Sequence, residues 1–370
     1  MSKTIAYIRT TNIYDDSRAT KEITTLADNG YDVVVLGWNR NGKALEKCRA
    51  IFTSGSISFR FFNVLLPQGI GLKNLDKLVS WNKWISNELK SISQLSAVHA
   101  CNLDGAYAAY RFCLKKNVPL VYDIYDYYID SHHIPNMLCS FVERLEIQII
   151  NFAACTIICT EERREQIQKS HPNKVVVIHN SPDVNFEESD KAEYDYVYCG
   201  SLCDRRLIKE ILSEYAVNSD LRIAFAGNDI YQENANNVSQ QYSNFEYYGT
   251  IPYTEVIELE KKSKVLSAIY EPTIRNHRLC APNKFYEALA LGKPLIVCEG
   301  TGIDKVVKDN CLGMVISYDA KDFYSALRRL INNPDEMREM GNRGRKLYKE
   351  KYSWSIMKER LISAYSSIGL

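Results

Sequence analysis

The chain has 370 residues, of which 46% are hydrophobic and 25% charged, and its formal net charge is +1. This length exceeds one ordinary hydrophobic core and predicts two domains of a soluble globular protein. A charge this close to zero gives no general attraction to nucleic acid, so no nucleic-acid partner is expected. Eleven cysteines without a C-x-x-C pair favour a reducing, cytoplasmic location over a disulfide scaffold.

The first half alternates short apolar runs with longer amphipathic segments, the pattern of parallel strands joined by crossover helices. It begins directly with a strand, so no signal peptide is expected. The longest apolar region, 147–159, is interrupted by polar residues and is too short to span a bilayer. The first loop lacks a glycine-rich turn and predicts no dinucleotide fingerprint. Ser17 is expected to cap the first helix, and Arg18 either points above the strand ends or is merely an exposed first-turn residue. The predicted strands are 3–10, 32–38, 97–102, 120–125, 156–160 and 175–179, and the predicted helices are 18–29, 72–90, 104–116, 137–153 and 161–169.

The predicted helix 72–90 carries basic residues together with two tryptophans. Basic residues beside interfacial aromatic rings suit a membrane surface, and the apolar run 59–66 would lie with them. The alternative is an amphipathic helix whose tryptophan face is buried. The residues concerned are Lys73, Lys77, Trp81, Lys83, Trp84 and Lys90.

A polar stretch, 183–193, is predicted to link the domains, after which the alternation of strands and helices restarts. Gly200 and Ser201 follow the first strand of this second half, and Arg205 and Arg206 come shortly after. The predicted strands are 196–199, 222–226, 245–248, 265–270, 295–298 and 314–317, and the last three predicted helices are 319–332, 334–351 and 354–366.

The most informative stretch is 280–297, CAPNKFYEALALGKPLIV, which predicts a helix followed by a buried strand. Pro282 suits a first helical turn, and Gly292 with Pro294 ends the helix. Asn283 and Glu287 are four residues apart and share a helix face. A carboxylate there, beside backbone N–H groups that favour anions, would hold a sugar–phosphate ligand, unless this face is simply solvated.

The segment P-N-K-F-Y-E-A-L-A-L-G-K-P-L-I-V resembles the donor-site segment of GT-B glycosyltransferases, in particular family 4 and its capsule and exopolysaccharide relatives. The resemblance implies an α/β protein of GT-B fold, with two Rossmann-like α/β/α domains facing a cleft. It implies an acceptor-binding domain at 1–182, a nucleotide-sugar-binding domain at 194–352, and a crossover helix at 353–370 that returns to the first domain.

The same resemblance assigns donor-binding residues. Glu287 matches the residue that binds the ribose hydroxyls, while the second family Glu is replaced by Leu279. Gly200 and Ser201 match the donor-phosphate loop, with Ser201 in place of the usual Arg. Arg206 stands at the position of the family Lys, with Arg205 as the alternative, and a guanidinium can still hold a diphosphate. Asn283 and Arg275 complete the donor group, and Arg206 and Lys284 are the candidates for stabilising the leaving diphosphate.

On the acceptor side, V-Y-D-I-Y-D at 121–126 resembles the family's V-Y-D-x-H-E, with Tyr125 at the His position and Asp126 at the Glu position. Both are candidate catalytic residues, and Asp126 would orient the acceptor hydroxyl unless it only caps the next segment. The D-S-R sequence that contains Ser17 and Arg18 also resembles these enzymes, and both are placed on the acceptor side. The neighbouring His132 and His133 would point to different faces, so no metal site is predicted there.

The implied reaction moves a sugar from a UDP- or GDP-linked donor to a saccharide acceptor, expected to be lipid-linked, in the synthesis of capsule, exopolysaccharide or O-antigen. It would retain configuration and use neither a cofactor nor a metal, and no D-x-D clamp is present in the sequence. The enzyme would work at the inner face of the cell membrane. Two alternatives remain, a nucleotide-sugar 2-epimerase of the same fold and a non-catalytic nucleotide-sugar-binding subunit. The substitutions at Leu279, Ser201 and Tyr125 motivate the second.

Overall fold

The computed structural model describes residues 3–65, 75–132, 134–184 and 192–370. Leu66, Lys73, His133 and most of the predicted linker therefore lie outside the described residues. The chain forms two compact units: unit 1 comprises Met1–His179 with Ser355–Leu370, and unit 2 comprises Asn180–Trp354. None of the described helices is both long enough and apolar enough to cross a membrane.

Unit 1 is built on a parallel seven-stranded sheet with strand order β3-β2-β1-β4-β5-β6-β7. Its centre is buried; all five residues of the fifth strand, for example, are almost inaccessible to solvent, as expected where helices cover both faces of a parallel sheet. The strands are β1 (Lys3–Arg9), β2 (Tyr31–Trp38), β3 (Ile57–Phe62), β4 (Leu95–Cys101), β5 (Leu120–Ile124), β6 (Cys155–Ile158) and β7 (Val175–Val177). The helices are α1 (Ser17–Asp28), α2 (Ala44–Ile51), α3 (Leu75–Ser91), α4 (Asn102–Lys116), α5 (Tyr128–Ser131) and α6 (Asn136–Phe152).

Unit 2 repeats the plan with a parallel six-stranded sheet in the order β10-β9-β8-β11-β12-β13. The strands are β8 (Tyr194–Cys199), β9 (Ile223–Ala226), β10 (Phe245–Tyr247), β11 (Ser263–Ala268), β12 (Leu295–Cys298) and β13 (Gly313–Ile316). The helices are α7 (Ile208–Glu214), α8 (Gln232–Gln241), α9 (Tyr253–Lys261), α10 (Arg275–Arg278), α11 (Asn283–Leu291), α12 (Ile303–Asp309), α13 (Ala320–Ile331) and α14 (Pro334–Leu347). The last helix, α15 (Trp354–Ser367), returns almost entirely to unit 1.

Each sheet has one point where the chain order reverses, between β1 and β4 in unit 1 and between β8 and β11 in unit 2. In open parallel α/β sheets, ligands bind outside the carboxyl ends of the strands at this switch point. Both units therefore have the strand order of nucleotide-binding Rossmann-like domains, and the predicted α/β class is confirmed.

Two local predictions in unit 1 are wrong. Ser17 is the first residue of α1 rather than its cap, because the Asp16 carboxylate accepts the Ala19 N–H at 3.1 Å. The predicted helix at 161–169 contains only a 3-10 turn, Glu162–Glu165, and the Arg163 side chain within it points inward.

The stretch 280–297 contains α11 and most of β12. Pro282 stands one position before the helix, as its N-cap residue. Gly292 ends the helix in the left-handed conformation at φ +63°, which glycine adopts without a steric penalty. All residues from Phe285 to Leu291 are buried. The face that carries Glu287 is therefore not a solvated surface.

Candidate functional site

Two glycine loops follow β8, at the switch point of unit 2, and its neighbour β9. Gly200 follows β8 with φ +152°, and Gly227 follows β9 with φ +138°. A Cβ atom on Gly227 would lie 1.8 Å from the Gly200 carbonyl oxygen, so the two backbones touch and no side chain fits between them. Exposed backbone at a strand end is the arrangement that lets a phosphate approach closely.

Lys284, from the first turn of α11, lies against this loop. Its Nζ would be 2.3 Å from a Cβ on Gly200 and is 4.9 Å from the centre of the Tyr198 ring. The Tyr198 hydroxyl donates to the Ser201 carbonyl at 2.8 Å. The fold thus places an ammonium group directly at the loop predicted to hold the donor phosphates.

Glu287 lies one turn further along α11 and is only 3% exposed. Its Oε1 accepts a hydrogen bond from the Tyr253 hydroxyl at 2.9 Å. A second carboxyl group, that of Glu260 on α9, is 1% exposed. Burial and the charge of Glu287 raise the pKa of Glu260 well above its usual range, although Lys284 opposes this. Burial and the neighbouring carboxylate thus both favour the protonated form of Glu260.

Arg206 lies in the 3-10 turn Asp204–Arg206, which follows the Gly200 loop in the chain. Its guanidinium carbon lies 3.8 Å from the centre of the Tyr270 ring. One terminal nitrogen, NH1, is 3.0 Å from the Arg205 carbonyl and 3.3 Å from Nε2 of His277. Arg206 is thus half-buried, and its guanidinium is supported by neighbouring groups.

The remaining predicted donor residues are more exposed. Ser201 is exposed and donates to Asp229, and the side chains of Arg205, Arg275 and Asn283 also face solvent. Sequence reasoning missed the groups that support the site, since their partners lie far away along the chain. These groups are Tyr198, Tyr253, Glu260 and Tyr270.

In unit 1, Arg18 does not point into an open site. It is 4% exposed and forms ion pairs with Glu22 (2.9 Å) and Asp123 (2.6 Å). One terminal nitrogen also donates to the Ile178 carbonyl at 2.9 Å. The alternative of an exposed first-turn residue is therefore wrong. The Arg18 guanidinium does lie at the carboxyl ends of the strands, beside Cys159 after β6 and Ile178 after β7, but two buried carboxylates hold it inside the protein.

Tyr125 follows β5, and its ring lies between two guanidinium groups. The centre of the ring is 4.0 Å from the Arg9 carbon and 4.6 Å from the Arg18 carbon. Its hydroxyl is 3.0 Å from that of Tyr7. Burial raises the pKa of Tyr125 well above 10, so this phenol does not act as a base near neutral pH.

Asp126 is the accessible carboxylate at this strand end, with 44% of its side chain exposed. Arg163, itself buried, donates to it at 3.0 Å. Asp126 does not cap α5, whose N-cap residue is Tyr127 without a side-chain cap bond. Asn102 fixes the local backbone, because its side-chain oxygen accepts the N–H groups of both Tyr125 (2.9 Å) and Asp126 (3.3 Å).

A buried polar cluster lies beneath these residues. Burial and the charge of Asp123 raise the pKa of Glu22 to about 7. Ligand atoms of His99, Cys101 and Asp123 lie within 4.8 Å of one another, close enough to hold a metal ion. The cation already present is Arg18, bound to Asp123, and His99 Nδ1 lies 2.8 Å from the Tyr365 hydroxyl. These contacts favour an internal ion-pair network that ties β1, β4 and β5 to α1 and α15.

Two family models match the chain. Residues 19–186 match "Glycosyltransferase Family 4", and residues 205–362 match "Glycosyl transferase-like". Among curated proteins, alpha-maltose-1-phosphate synthase of Mycolicibacterium smegmatis is 30% identical over 90 residues, which is 22% of this chain and 23% of that protein. The chain spans about a fifth of the length of the curated relatives it matches.

Solved structures match over the whole chain. Sucrose-phosphate synthase from Thermosynechococcus elongatus has a TM-score of 0.74 at 14% identity and covers 99% of both chains. The Arabidopsis thaliana protein UGT89C1, complexed with UDP-L-rhamnose, has a TM-score of 0.68 at 11% identity and covers 100% of both chains. At such low identities, similarity to a solved structure shows only the fold. The evidence for the class of protein comes from the two family models, both of which describe glycosyltransferases. Each half of the chain therefore matches a glycosyltransferase family model, the first half that of family 4, and the whole chain has the GT-B fold.

Proposed function

We propose that this protein transfers a sugar from a nucleotide-sugar donor to a saccharide acceptor. The observation that carries the proposal is the grouping of Gly200, Lys284 and Glu287 at the switch point of unit 2. Gly200 allows a close approach to the backbone and Lys284 supplies an ammonium group, and both features suit a phosphate. The buried carboxylate of Glu287 suits a sugar diol.

Within this proposal, Glu287 accepts hydrogen bonds from both ribose hydroxyls, with Tyr253 holding the carboxylate in place. Lys284 and Arg206 face the diphosphate, and the N-terminus of α11 adds its partial positive charge. Solved proteins of the same fold are described with UDP or UDP-L-rhamnose, which supports a UDP-linked donor and leaves GDP as the second choice.

We propose that the reaction requires neither a cofactor nor a metal. As the bond to the sugar breaks, negative charge grows on the leaving diphosphate, and fixed cations stabilise the transition state more than the bound donor. Lys284 and Arg206 supply those cations. Retention of configuration is part of the proposal and follows from the resemblance to family 4.

The acceptor is assigned to unit 1 and is proposed to be a lipid-linked or free oligosaccharide. Asp126 is the residue that can meet it, because its carboxylate is accessible and oriented by Arg163. Tyr125 and Arg18 have buried polar groups and act as a support beneath that carboxylate rather than as contacts. Ser17 is half-buried at the start of α1 and remains a candidate contact.

Membrane attachment is proposed on a different basis from that suggested by the sequence. Trp81 is fully buried, stacks on Trp38 and donates to the Asp104 carbonyl at 3.0 Å, and Trp84 is half-buried, so neither forms an interfacial belt. A groove of about 920 Å³ between α3 and α4 instead presents exposed cations over an apolar floor, and no acidic residue is among its described lining. The groove includes Leu78, Val79, Lys83, Lys90, Arg111, Phe112, Lys115 and Lys116.

This charge pattern matches an anionic lipid surface, where each basic residue contributes ~1 kcal/mol at low salt. The test is sedimentation with vesicles of stated composition. Binding to phosphatidylglycerol-containing vesicles should fall with added salt and with Lys83, Lys90 and Lys116 changed to Glu. Equal binding to neutral vesicles, or no effect of the three changes, contradicts the attachment.

The donor assignment is tested by thermal unfolding with UDP-, GDP-, CMP- and dTDP-sugars. A true donor at about 100 times its Kd should stabilise the protein by ~2.7 kcal/mol. Incubation of that donor with oligosaccharide acceptors should then yield an extended saccharide and a nucleoside diphosphate. An epimerised nucleotide-sugar would instead show a 2-epimerase, and tight binding without turnover would show a binding subunit.

A further inference from the structure

His277 is a buried histidine beside the proposed diphosphate site, on the single turn α10. It is 7% exposed. Its Nε2 lies 3.3 Å from NH1 of Arg206, and its Nδ1 lies 3.0 Å from the Glu271 carbonyl oxygen. A guanidinium group can only donate hydrogen bonds, so Nε2 must accept from Arg206. Nδ1 then carries the proton and donates to Glu271, which fixes both the tautomer and the neutral state of the ring.

Arg206 is held from three directions by these contacts. The Tyr270 ring lies under the guanidinium, the Arg205 carbonyl accepts from NH1, and His277 accepts from the same nitrogen. Among the described residues, none accepts a hydrogen bond from Nε or NH2 of Arg206. The supporting hydrogen bonds therefore use one of the three guanidinium nitrogens, so the other two have donor capacity for a ligand.

We propose that His277 is a positioning residue that, as the neutral imidazole, orients Arg206 toward the donor diphosphate. The proposal rests on the proposed function, since it needs Arg206 to contact that diphosphate. Protonation would turn Nε2 into a donor and set it against the Arg206 guanidinium, and the contact would be lost.

The surroundings keep the ring neutral at ordinary pH. Burial and the charge of Arg206 lower the pKa of His277, and Arg205 lowers it further. The carbonyl and carboxylate of Glu271 oppose them, and the Tyr270 ring packs edge-on at 5.3 Å. Loss of orientation is thus expected only well below neutral pH.

The first test compares initial rates of sugar transfer for the wild type, His277→Leu, His277→Gln and Arg206→Ala. Leucine removes the acceptor atom, whereas the glutamine side-chain oxygen can still accept from Arg206. We expect His277→Leu to lower kcat about tenfold, as for loss of a hydrogen bond to a charged group, with little change in KM. We expect His277→Gln to retain most of the wild-type kcat. In a protein that already carries Arg206→Ala, adding His277→Leu should not lower kcat further. Additive losses from the two changes would overturn the proposal.

The second test reads the histidine directly by nitrogen-15 NMR and requires no turnover. The wild type should show His277 with its proton on Nδ1, and Arg206→Ala should raise the pKa of His277 because a neighbouring positive charge is removed. An Nε2-protonated ring, or a pKa indifferent to Arg206→Ala, would refute the contact even if His277→Leu does not fold. If Arg206→Ala leaves UDP binding and transfer unchanged while the NMR results hold, the diphosphate role of Arg206 fails and the His277 contact stands.

Discussion

Replacement of Glu287 by Gln removes the charge of the proposed ribose contact while keeping its size. The side chain is buried and already accepts one hydrogen bond, from Tyr253 at 2.9 Å, so its geometry should persist in the variant through the amide oxygen. Hydrogen bonds to a charged group contribute about 1.5–3 kcal/mol. Losing that contribution should raise the Kd for UDP by about 10- to 150-fold.

Isothermal titration calorimetry with UDP and with uridine measures this effect. Uridine has the ribose but no phosphate, so the same fold-change should appear with both ligands if the contact is to the ribose. Glu260→Gln is the matched control, because Glu260 is also buried and its pKa is raised well above its usual range. This change removes no proposed ribose contact, so the UDP affinity of the variant should stay near that of the wild type. Unchanged affinity in a folded Glu287→Gln protein, or an equal loss in Glu260→Gln, would refute the ribose assignment.

Three further predictions concern catalysis, stability and the loop. In steady-state kinetics, Arg206→Ala should lower kcat more than it weakens donor binding, because negative charge grows on the diphosphate in the transition state. A larger loss of kcat on replacing the exposed Arg205 by Ala would contradict this role of Arg206. Burial raises the pKa of Glu146 from 4.5 to about 8, so the folded state binds this proton more tightly than the unfolded state does. The free energy of unfolding should therefore decline as the pH rises from about 4.5 to about 8. Between about pH 5 and pH 7 the wild type should lose about 2–3 kcal/mol relative to Glu146→Gln in urea denaturation, and parallel pH profiles would contradict it. Gly227→Ala should displace the loop at Gly200 and abolish UDP binding in calorimetry, whereas unchanged affinity would show that the two loops need not touch.

The order of strands and helices could be predicted from the sequence because it depends on local patterns. The apolar run LIVC became β12 with the expected bounds, Leu295–Cys298, and Gly292 ended α11 as expected. Both signals lie within a few residues of the feature they determine. The family resemblance at 282–297 could likewise predict that Lys284 and Glu287 lie in one site, because the two residues are only three positions apart on one helix.

The ion-pair and hydrogen-bond partners of individual side chains could not be predicted from local sequence patterns. Arg18 is paired with Asp123, 105 positions later in the chain, and no local pattern distinguishes a buried guanidinium from an exposed one. Glu287 and Tyr253 are 34 positions apart, and Arg206 and His277 are 71 apart. These contacts exist because parallel strands bring distant loops to one edge of the sheet, so they become visible only when the strand order is known.

The central claim is that unit 2 binds a nucleoside diphosphate at its switch point. Photo-crosslinking tests it most directly, with an azido derivative of UDP, or of GDP if the donor panel selects it, followed by mass spectrometric mapping of the labelled peptides. The labelled peptides should come from unit 2, from the segments around Gly200, Gly227 or Glu287, and excess unlabelled nucleotide should prevent the labelling. Labelling of unit 1 that the nucleotide displaces, with unit 2 unmodified, would contradict the account.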